Sequence, residues 1–296
     1  MIKTPLRYPG GKSMMTNFFI DLFKINDLHN VVYAEPYAGG AGAAINLLLS
    51  NSVDRILIND ANIGIYSFWR YVVEENNRFS DLIQNCEVSI REWRRWKDVF
   101  KTATEPSFEL GFATFFLTRT NRSGVLNAGP IGGTTEIQQA EAKYKIDCRF
   151  NRQNLSKKIL EIGSHSEQIE ISNLDALAFL QRNNMREDLF VYLDPPYFRQ
   201  GKSLYMDYYK QENHQSLADF LREIALFDWV LSYDNVPEIR MMYRSFPLYE
   251  FDLNYSVRTI RKGKELLLHS RRINLPDDLM LKRKGKKLSL KLICEL

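Results

Sequence analysis

Val32-Tyr-Ala-Glu-Pro-Tyr-Ala-Gly-Gly-Ala-Gly42 decides the reading of the fold, because it runs off a short apolar strand, through a glycine-rich turn, and into an apolar helix. Glycines at such a turn let the backbone approach a ligand, and the start of the helix offers free amides to a polar or anionic group. Val31 to Glu35 reads as the strand, Gly42 to Leu49 as the helix and Arg55 to Asn59 as the next strand, which makes one βαβ unit. Asp60 ends that second strand, 21 residues after Gly39. In dinucleotide folds a carboxylate at this place accepts hydrogen bonds from the ribose of an adenosine. The turn and the acid together suggest an adenosyl ligand and leave a nicotinamide dehydrogenase open.

Working outward, the same habit returns later in the chain. Gln168 to Ser172, Leu189 to Leu193, Trp229 to Ser232 and Leu266 to His269 read as strands, with helical stretches near Ala176 to Gln181 and His214 to Ala225. Between the two blocks, from Asn62 to Ile162, the pattern changes to long amphipathic helices rich in aromatics, among them Trp69, Trp93, Trp96, Phe112, Phe115 and Phe116. We read residues 62–162 as an inserted domain and residues 1–61 and 163–296 as one α/β domain around a parallel sheet. The centre of the insertion, Thr118-Arg-Thr-Asn-Arg-Ser-Gly-Val-Leu-Asn-Ala-Gly-Pro-Ile-Gly-Gly133, has too many turn formers for a helix or a central strand. It is expected to form a protruding loop or hairpin with hydrogen-bonding side chains.

Composition narrows the class. Of 296 residues, 45% are hydrophobic and 26% charged, which fits a globular chain with a real core and excludes a disordered or fibrous one. No apolar run reaches the roughly 20 residues of a membrane helix, and no secretory leader is apparent, so a cytoplasmic protein without membrane attachment is expected. Cys86, Cys148 and Cys294 are odd in number and far apart, and the four histidines show no ligand or triad spacing. Reduced thiols and no metal are therefore expected. The net charge of +4 is uneven, with 12 Lys/Arg against three Asp/Glu between Arg258 and Lys291. A basic segment on an otherwise acidic body suits a polyanion held at one place, although a charge run such as Lys282 to Lys291 is equally well a solvated tail.

The chemistry is concentrated in Phe190-Val-Tyr-Leu-Asp-Pro-Pro-Tyr197. After four strand residues, Asp194 meets Pro195 and Pro196, which remove two backbone donors and fix φ, leaving a rigid group of acceptors. Tyr197 adds an aromatic face. Acceptors beside an aromatic plate suit a planar amine: hydrogen bonds drawn from its protons free the nitrogen lone pair for attack while the ring stacks the base.

With these residues in view, the chain resembles the adenine-N6 DNA methyltransferases of the Dam type and their restriction-modification and phage relatives. The opening motif stands as Leu6-Arg-Tyr-Pro-Gly-Gly-Lys12, the cofactor loop as Glu35-Pro-Tyr-Ala-Gly-Gly-Ala-Gly42, the ribose acid within Asn59-Asp-Ala-Asn62 and the catalytic tetrapeptide as Asp194-Pro-Pro-Tyr197. They come in the family's order, and weaker similarity continues through Leu231-Ser-Tyr-Asp234 and Glu265-Leu-Leu-Leu268. The resemblance implies a Rossmann-like S-adenosylmethionine-dependent methyltransferase fold with a mostly helical target-recognition insertion. It implies that Tyr8, Lys12, Gly39, Asp60 and Asp194 touch S-adenosylmethionine, that Glu35 and Tyr37 line the methionine end and that Asp175 meets the cofactor adenine. Asp194, Pro195, Pro196 and Tyr197 are the implied catalytic residues, with Asp194 and the Pro195 carbonyl taking the amine protons. The insertion corresponds to the part that reads double-stranded DNA, where Arg119, Asn121, Arg122 and Asn127 are candidates for base or phosphate contacts. A partner restriction endonuclease is a further implication. Ala41 departs from the family, standing where many members carry glycine. Transfer to RNA adenine or to a glutamine amide, and a DNA-binding relative without activity, remain open beside this reading.

Overall fold

The computed structural model describes residues 4–198, 209–256, 260–276, 281–283, 286–288 and 290–294, leaving aside the side chains of 252–256, 260–263, 281–283, 286–288 and 294. Its centre is an eight-stranded mixed sheet. The strands are β1 (Val32–Glu35), β2 (Arg55–Asn59), β3 (Ile169–Ser172), β4 (Leu189–Leu193), β5 (Asp228–Asp234), β6 (Leu248–Ser256), β7 (Ile260–His269) and, beyond a short separate hairpin of β8 (Leu281–Arg283) and β9 (Lys286–Leu288), β10 (Lys291–Cys294). They lie in the order β10-β6-β7-β5-β4-β1-β2-β3. From β1 the chain steps outward to β2 and β3, then crosses back to place β4 on the other side of β1. The carboxyl ends of β1 and β4 therefore flank the point where the winding reverses, the place where an open α/β sheet leaves a crevice for a ligand.

The strands read as nearly unbroken apolar runs because both faces are covered. Tyr33, Ile56, Ile58, Phe190 and Tyr192 point to one face, and Val32, Ala34, Leu57, Val191 and Leu193 to the other. On the first face α1 (Thr16–Ile25) supplies Phe19, whose ring meets Tyr33, Phe190 and Tyr192 edge-on at 5.4, 5.9 and 5.0 Å. Such contacts are worth about 0.5–1.5 kcal/mol each beyond the area they bury. They tie the opening segment to the two strands at the winding reversal. On the second face α9 (Ala176–Asn183), α10 (Gln211–Glu223) and α11 (Pro237–Met242) supply Phe179, Leu217, Leu221 and Ile239.

The segment after β2 is helical, as its periodicity indicates: α3 (Ile63–Glu74), α4 (Asn76–Asn85), α5 (Ile90–Thr102), α6 (Phe108–Thr120), α7 (Glu136–Glu141) and α8 (Arg152–Gly163). Side-chain caps start most of them, with Asn62 Oδ1 accepting from the Gly64 and Ile65 amides and the Ser107 hydroxyl from Leu110. α6 is buried along nearly its whole length, with Glu109 and Arg119 as exceptions near its ends, the signature of a central helix. Its Phe112, Phe115 and Phe116 join one continuous core with Trp69, Phe79 and the sheet residues Tyr33 and Ile58. The helical layer after α2 (Gly42–Leu49) is thus packed onto the sheet's first face through shared side chains.

Three expectations change. The sheet is mixed rather than parallel, because β7 runs antiparallel to both β5 and β6 and β10 antiparallel to β6. β7 begins at Ile260, six residues earlier than its apolar stretch suggests, since Arg261, Lys262 and Lys264 interrupt the pattern. Thr118 to Thr120 belong to the last turn of α6 and are not loop. Beyond that turn the chain forms a loop pinned by the Asn121–Pro130 bridge and by the Arg122 amide on the Gly129 carbonyl at 3.0 Å. Much of the basic segment between Arg258 and Lys291, including Arg258, Lys284 and the side chains of Lys282, Arg283, Lys286 and Lys287, lies outside the described residues. No helix among the described residues is long and apolar enough to cross a membrane.

Candidate active site

A cleft of about 950 Å³ opens at the carboxyl ends of β1, β2 and β4, and its lining brings together residues from four separated stretches of sequence. Tyr8 to Lys12, Glu35 to Ala43, Asp60 to Asn62 and Asp194 with Pro196 all face it, joined by Asp175, Tyr192 and Tyr209.

One wall is built by backbone. Gly39 has a φ of +46, and a Cβ there would stand 2.7 Å from the Tyr8 ring, so the turn admits only glycine and lets Tyr8 lie directly on it. The Gly39 amide donates to Asp60 Oδ2 at 2.8 Å, and the Asn62 amide to Oδ1 at 2.9 Å. Trp69 Nε1 holds the Gly39 carbonyl at 2.9 Å. These bonds fix the carboxylate at the end of β2 against the turn after β1. Ala41 takes φ 42 and ψ 40, the left-handed conformation that favours the glycine it replaces. The turn keeps its shape, and Ala41 bears the strain.

Glu35, at the end of β1, is buried and accepts from the Ala44 amide at 2.9 Å and the Tyr33 hydroxyl at 3.2 Å. Burial nonetheless pushes its carboxyl up to about 8. Tyr37 pairs its hydroxyl with that of Tyr209 at 2.7 Å across the cleft rim. Asp175 accepts from the Leu177 and Ala178 amides and so caps α9 while facing the cleft.

The opposite wall is built by side chains. Asp194, just past β4, takes the Lys12 ammonium on both oxygens, at 2.7 and 2.8 Å, and the Ser232 hydroxyl at 3.0 Å. Lys12 gives its third bond to the Tyr197 hydroxyl at 2.9 Å, and that hydroxyl donates to Glu265. Glu265 Oε1 stands 3.8 Å from Lys12 Nζ. Burial would lower the Lys12 ammonium, but Asp194 and Glu265 outweigh it and hold it well above its ordinary value. Burial lifts Glu265 to about 7 against the pull of Lys12. The Phe198 amide donates to Asp234 Oδ1 at 3.0 Å, which ties the segment after Pro195 and Pro196 to β5.

Sequence reasoning placed Asp194 and Lys12 in one site without anticipating that they bond to each other. Tyr197 differs from expectation: only 7% exposed, it lies under Lys12 with its hydroxyl engaged, and the open lining passes from Asp194 to Pro196 without it. Ser232 and Glu265 sit in the two weaker motifs, where a serine and a glutamate in strands that are otherwise apolar were the available signal.

The structure separates the four candidates between residues 119 and 127. Asn121 is fully buried; its Oδ1 accepts from Trp93 Nε1 at 2.7 Å and its amide donates to the Val125 and Leu126 carbonyls. The expectation that it contacts DNA is corrected by this geometry, since its side chain is spent on the loop. Arg119 donates to the Pro5 carbonyl, and burial beside Arg7 pulls its guanidinium down to about 10. Arg122 and Asn127 are exposed.

A family model for the D12 class of N6 adenine-specific DNA methyltransferases matches residues 8–257. The chain belongs to this family. The D12 match spans the glycine turn, the helical segment after β2, Asp194 and the Ser232 strand in one stretch. A modification methylase, StsI of Streptococcus sanguinis, is 26% identical over 239 residues, covering 74% of this D12 chain and 33% of that protein. The chain thus spans about a third of the length of the curated relative it matches.

The cleft fits the methyl donor that a D12 methyltransferase requires. Its described lining carries Asp60, Asp175 and Asp194, with Glu35 held neutral by burial, against one cation, Lys12, which is already paired with Asp194. Such a lining suits a cationic group and disfavours a pyrophosphate.

Proposed function

We propose that the chain is a site-specific DNA adenine N6-methyltransferase using S-adenosylmethionine, acting on an adenine turned out of double-stranded DNA. The observation that carries this reading is the convergence of a glycine-turn wall ending in Asp60 with Asp194 on one acid-lined cleft. Tyr8, Gly39, Asp60 and Asp175 would hold the adenosyl half, and Glu35, Tyr37 and Lys12 would line the methionine half. S-adenosylmethionine supplies an electrophilic methyl group on sulfur when bound there.

The remaining work falls to this chain's own groups. Asp194 accepts a hydrogen bond from the adenine amine, and the Pro195 carbonyl takes a second; together they draw the amine out of conjugation with the ring and orient its lone pair. Pro195 and Pro196 keep these acceptors rigid, and Ser232 holds Asp194 by Oδ1. Stacking on Tyr197 requires the ring to be uncovered as Lys12 withdraws. Extruding the base costs a few kcal/mol, which contacts in the pocket offset. Residues 62–162 serve target recognition in this reading, with Arg122 and Asn127 toward DNA and Asn121 as the brace of their loop. The basic C-terminal segment adds phosphate contacts. The relative named a modification methylase supports a place beside a partner restriction endonuclease.

Incubation with methyl-labelled S-adenosylmethionine and, separately, unmethylated duplex DNA, RNA and protein tests the reading. Label on N6 of adenines within one short DNA sequence is the expected result. Label confined to RNA or to protein amides, or none with any acceptor despite cofactor binding, would overturn it.

A further inference from the structure

Lys12 poses a problem that the proposed reaction must solve. Its ammonium has three hydrogens and spends all of them, two on Asp194 and one on the Tyr197 hydroxyl. The side chain is only 7% exposed. With Lys12 on both oxygens and Ser232 on Oδ1, Asp194 keeps one acceptor site, on Oδ2, and there Lys12 competes with a substrate amine. Releasing Lys12 with no replacement would leave an uncompensated buried charge, which is strongly unfavourable. A second carboxylate is already in place. Glu265, carried on the strand antiparallel to β5 with its backbone opposite Asp234, sets Oε1 3.8 Å from Lys12 Nζ. A shift of about 1 Å converts that separation into a direct charge-assisted bond. The same oxygen already accepts from the Tyr197 hydroxyl, which in turn touches Lys12, so the ammonium has a guided path from one acid to the other.

Resting on the methyltransferase reading above, we propose that Glu265 is a positioning residue for methyl transfer: it anchors Tyr197 and receives the Lys12 ammonium when Asp194 turns to the adenine amine. The exchange keeps one ion pair intact throughout and moves Lys12 off Tyr197 as the base enters. Two carboxylates around one lysine, with a tyrosine hydroxyl between them, would then act as a hand-over device, and Glu265 contributes without touching substrate.

A role limited to packing predicts something different, and Glu265→Gln separates the two. Glutamine keeps an oxygen to accept the Tyr197 hydroxyl and fills nearly the same volume, but offers no charge to the ammonium. The expected result is a fall of about 30-fold or more in single-turnover methylation of adenine, with cofactor affinity and thermal midpoint close to wild type, and partial recovery in Glu265→Asp. In a Lys12→Met background the Glu265→Gln change should have little further effect, because the charge to be received is gone. Turnover of Glu265→Gln within twofold of wild type, or losses that multiply independently in the double variant, would overturn the hand-over. If Glu265→Gln fails to fold, the same comparison on Glu265→Asp decides, with recovery of at least part of the wild-type rate required. Wild-type protein that methylates no adenine at all would refute the activity itself, whereas normal wild-type activity with an indifferent Glu265 refutes only this inference.

Discussion

The two walls of the cleft are held by different forces. The wall of Gly39 and Asp60 is fastened by backbone amides within one βαβ unit, over a sequence separation of 21 residues. The wall of Asp194, Lys12, Tyr197 and Glu265 is fastened by side-chain charges from distant segments, 182 residues apart in its principal pair, Lys12 and Asp194. A backbone-fastened wall is preformed and suits a ligand that only has to be held. A charge-fastened wall can exchange partners, which a site that must admit an extruded base requires. Changes at Asp194 and Glu265 on the second wall should therefore remove chemistry and leave binding, and changes on the first should do the reverse.

The largest expected effect is that of Asp194→Ala, which should lower single-turnover methylation about 10³-fold or more while the protein stays folded, as judged by its unfolding transition. Full activity in that variant would merge the two walls into one indifferent lining.

Glu35 sharpens the contrast through pH. Burial lifts its carboxyl from the ordinary value of 4.5 to about 8 in the folded chain, so folding takes up a proton. That contribution to stability is fully present below pH 4.5 and is lost as pH rises through 8. Glu265, lifted to about 7, has the same sign. Urea unfolding at pH 6 and pH 9 should show wild type losing stability over this range and Glu35→Gln losing less, by on the order of a few kcal/mol. Equal pH dependence in the two proteins would show that Glu35 is not buried in its neutral form.

The insertion loop offers a smaller comparison of the same kind. Asn121→Ala strands Trp93 Nε1 and two carbonyls and should destabilise by about 2 kcal/mol. Arg122→Ala removes an exposed side chain; it should leave stability unchanged and weaken duplex binding about tenfold or less, with a shallower salt dependence. At the low end, Ala41→Gly should stabilise by about 1 kcal/mol, because φ 42 is strained for alanine.

Legibility in the sequence divides along the same line. β1, α2, β2 and β4 were readable to within a residue because local apolar runs and the glycine turn specify them without help from distant parts of the chain. β6 and most of β7 were not, since charged and polar residues interrupt their apolar period and antiparallel pairing with each other compensates. The cleft's members were named from motifs, but Lys12 bonding Asp194, the burial of Tyr197 and the inward turn of Asn121 depend on tertiary contacts that motif order does not encode. Asn121 and Arg122 are polar neighbours in sequence, and only the position of Trp93 and the loop carbonyls distinguishes brace from exposed hand.

Equilibrium titration of S-adenosylmethionine into wild type, Asp60→Ala and Asp194→Ala, each followed by single-turnover methylation, tests the division of the cleft most directly. Loss of the Asp60 carboxylate should weaken cofactor binding by about tenfold or more, the worth of one or two charge-assisted hydrogen bonds. Loss of Asp194 should leave binding within about threefold of wild type and abolish turnover. Unchanged binding in Asp60→Ala, or methylation persisting in Asp194→Ala, would contradict it.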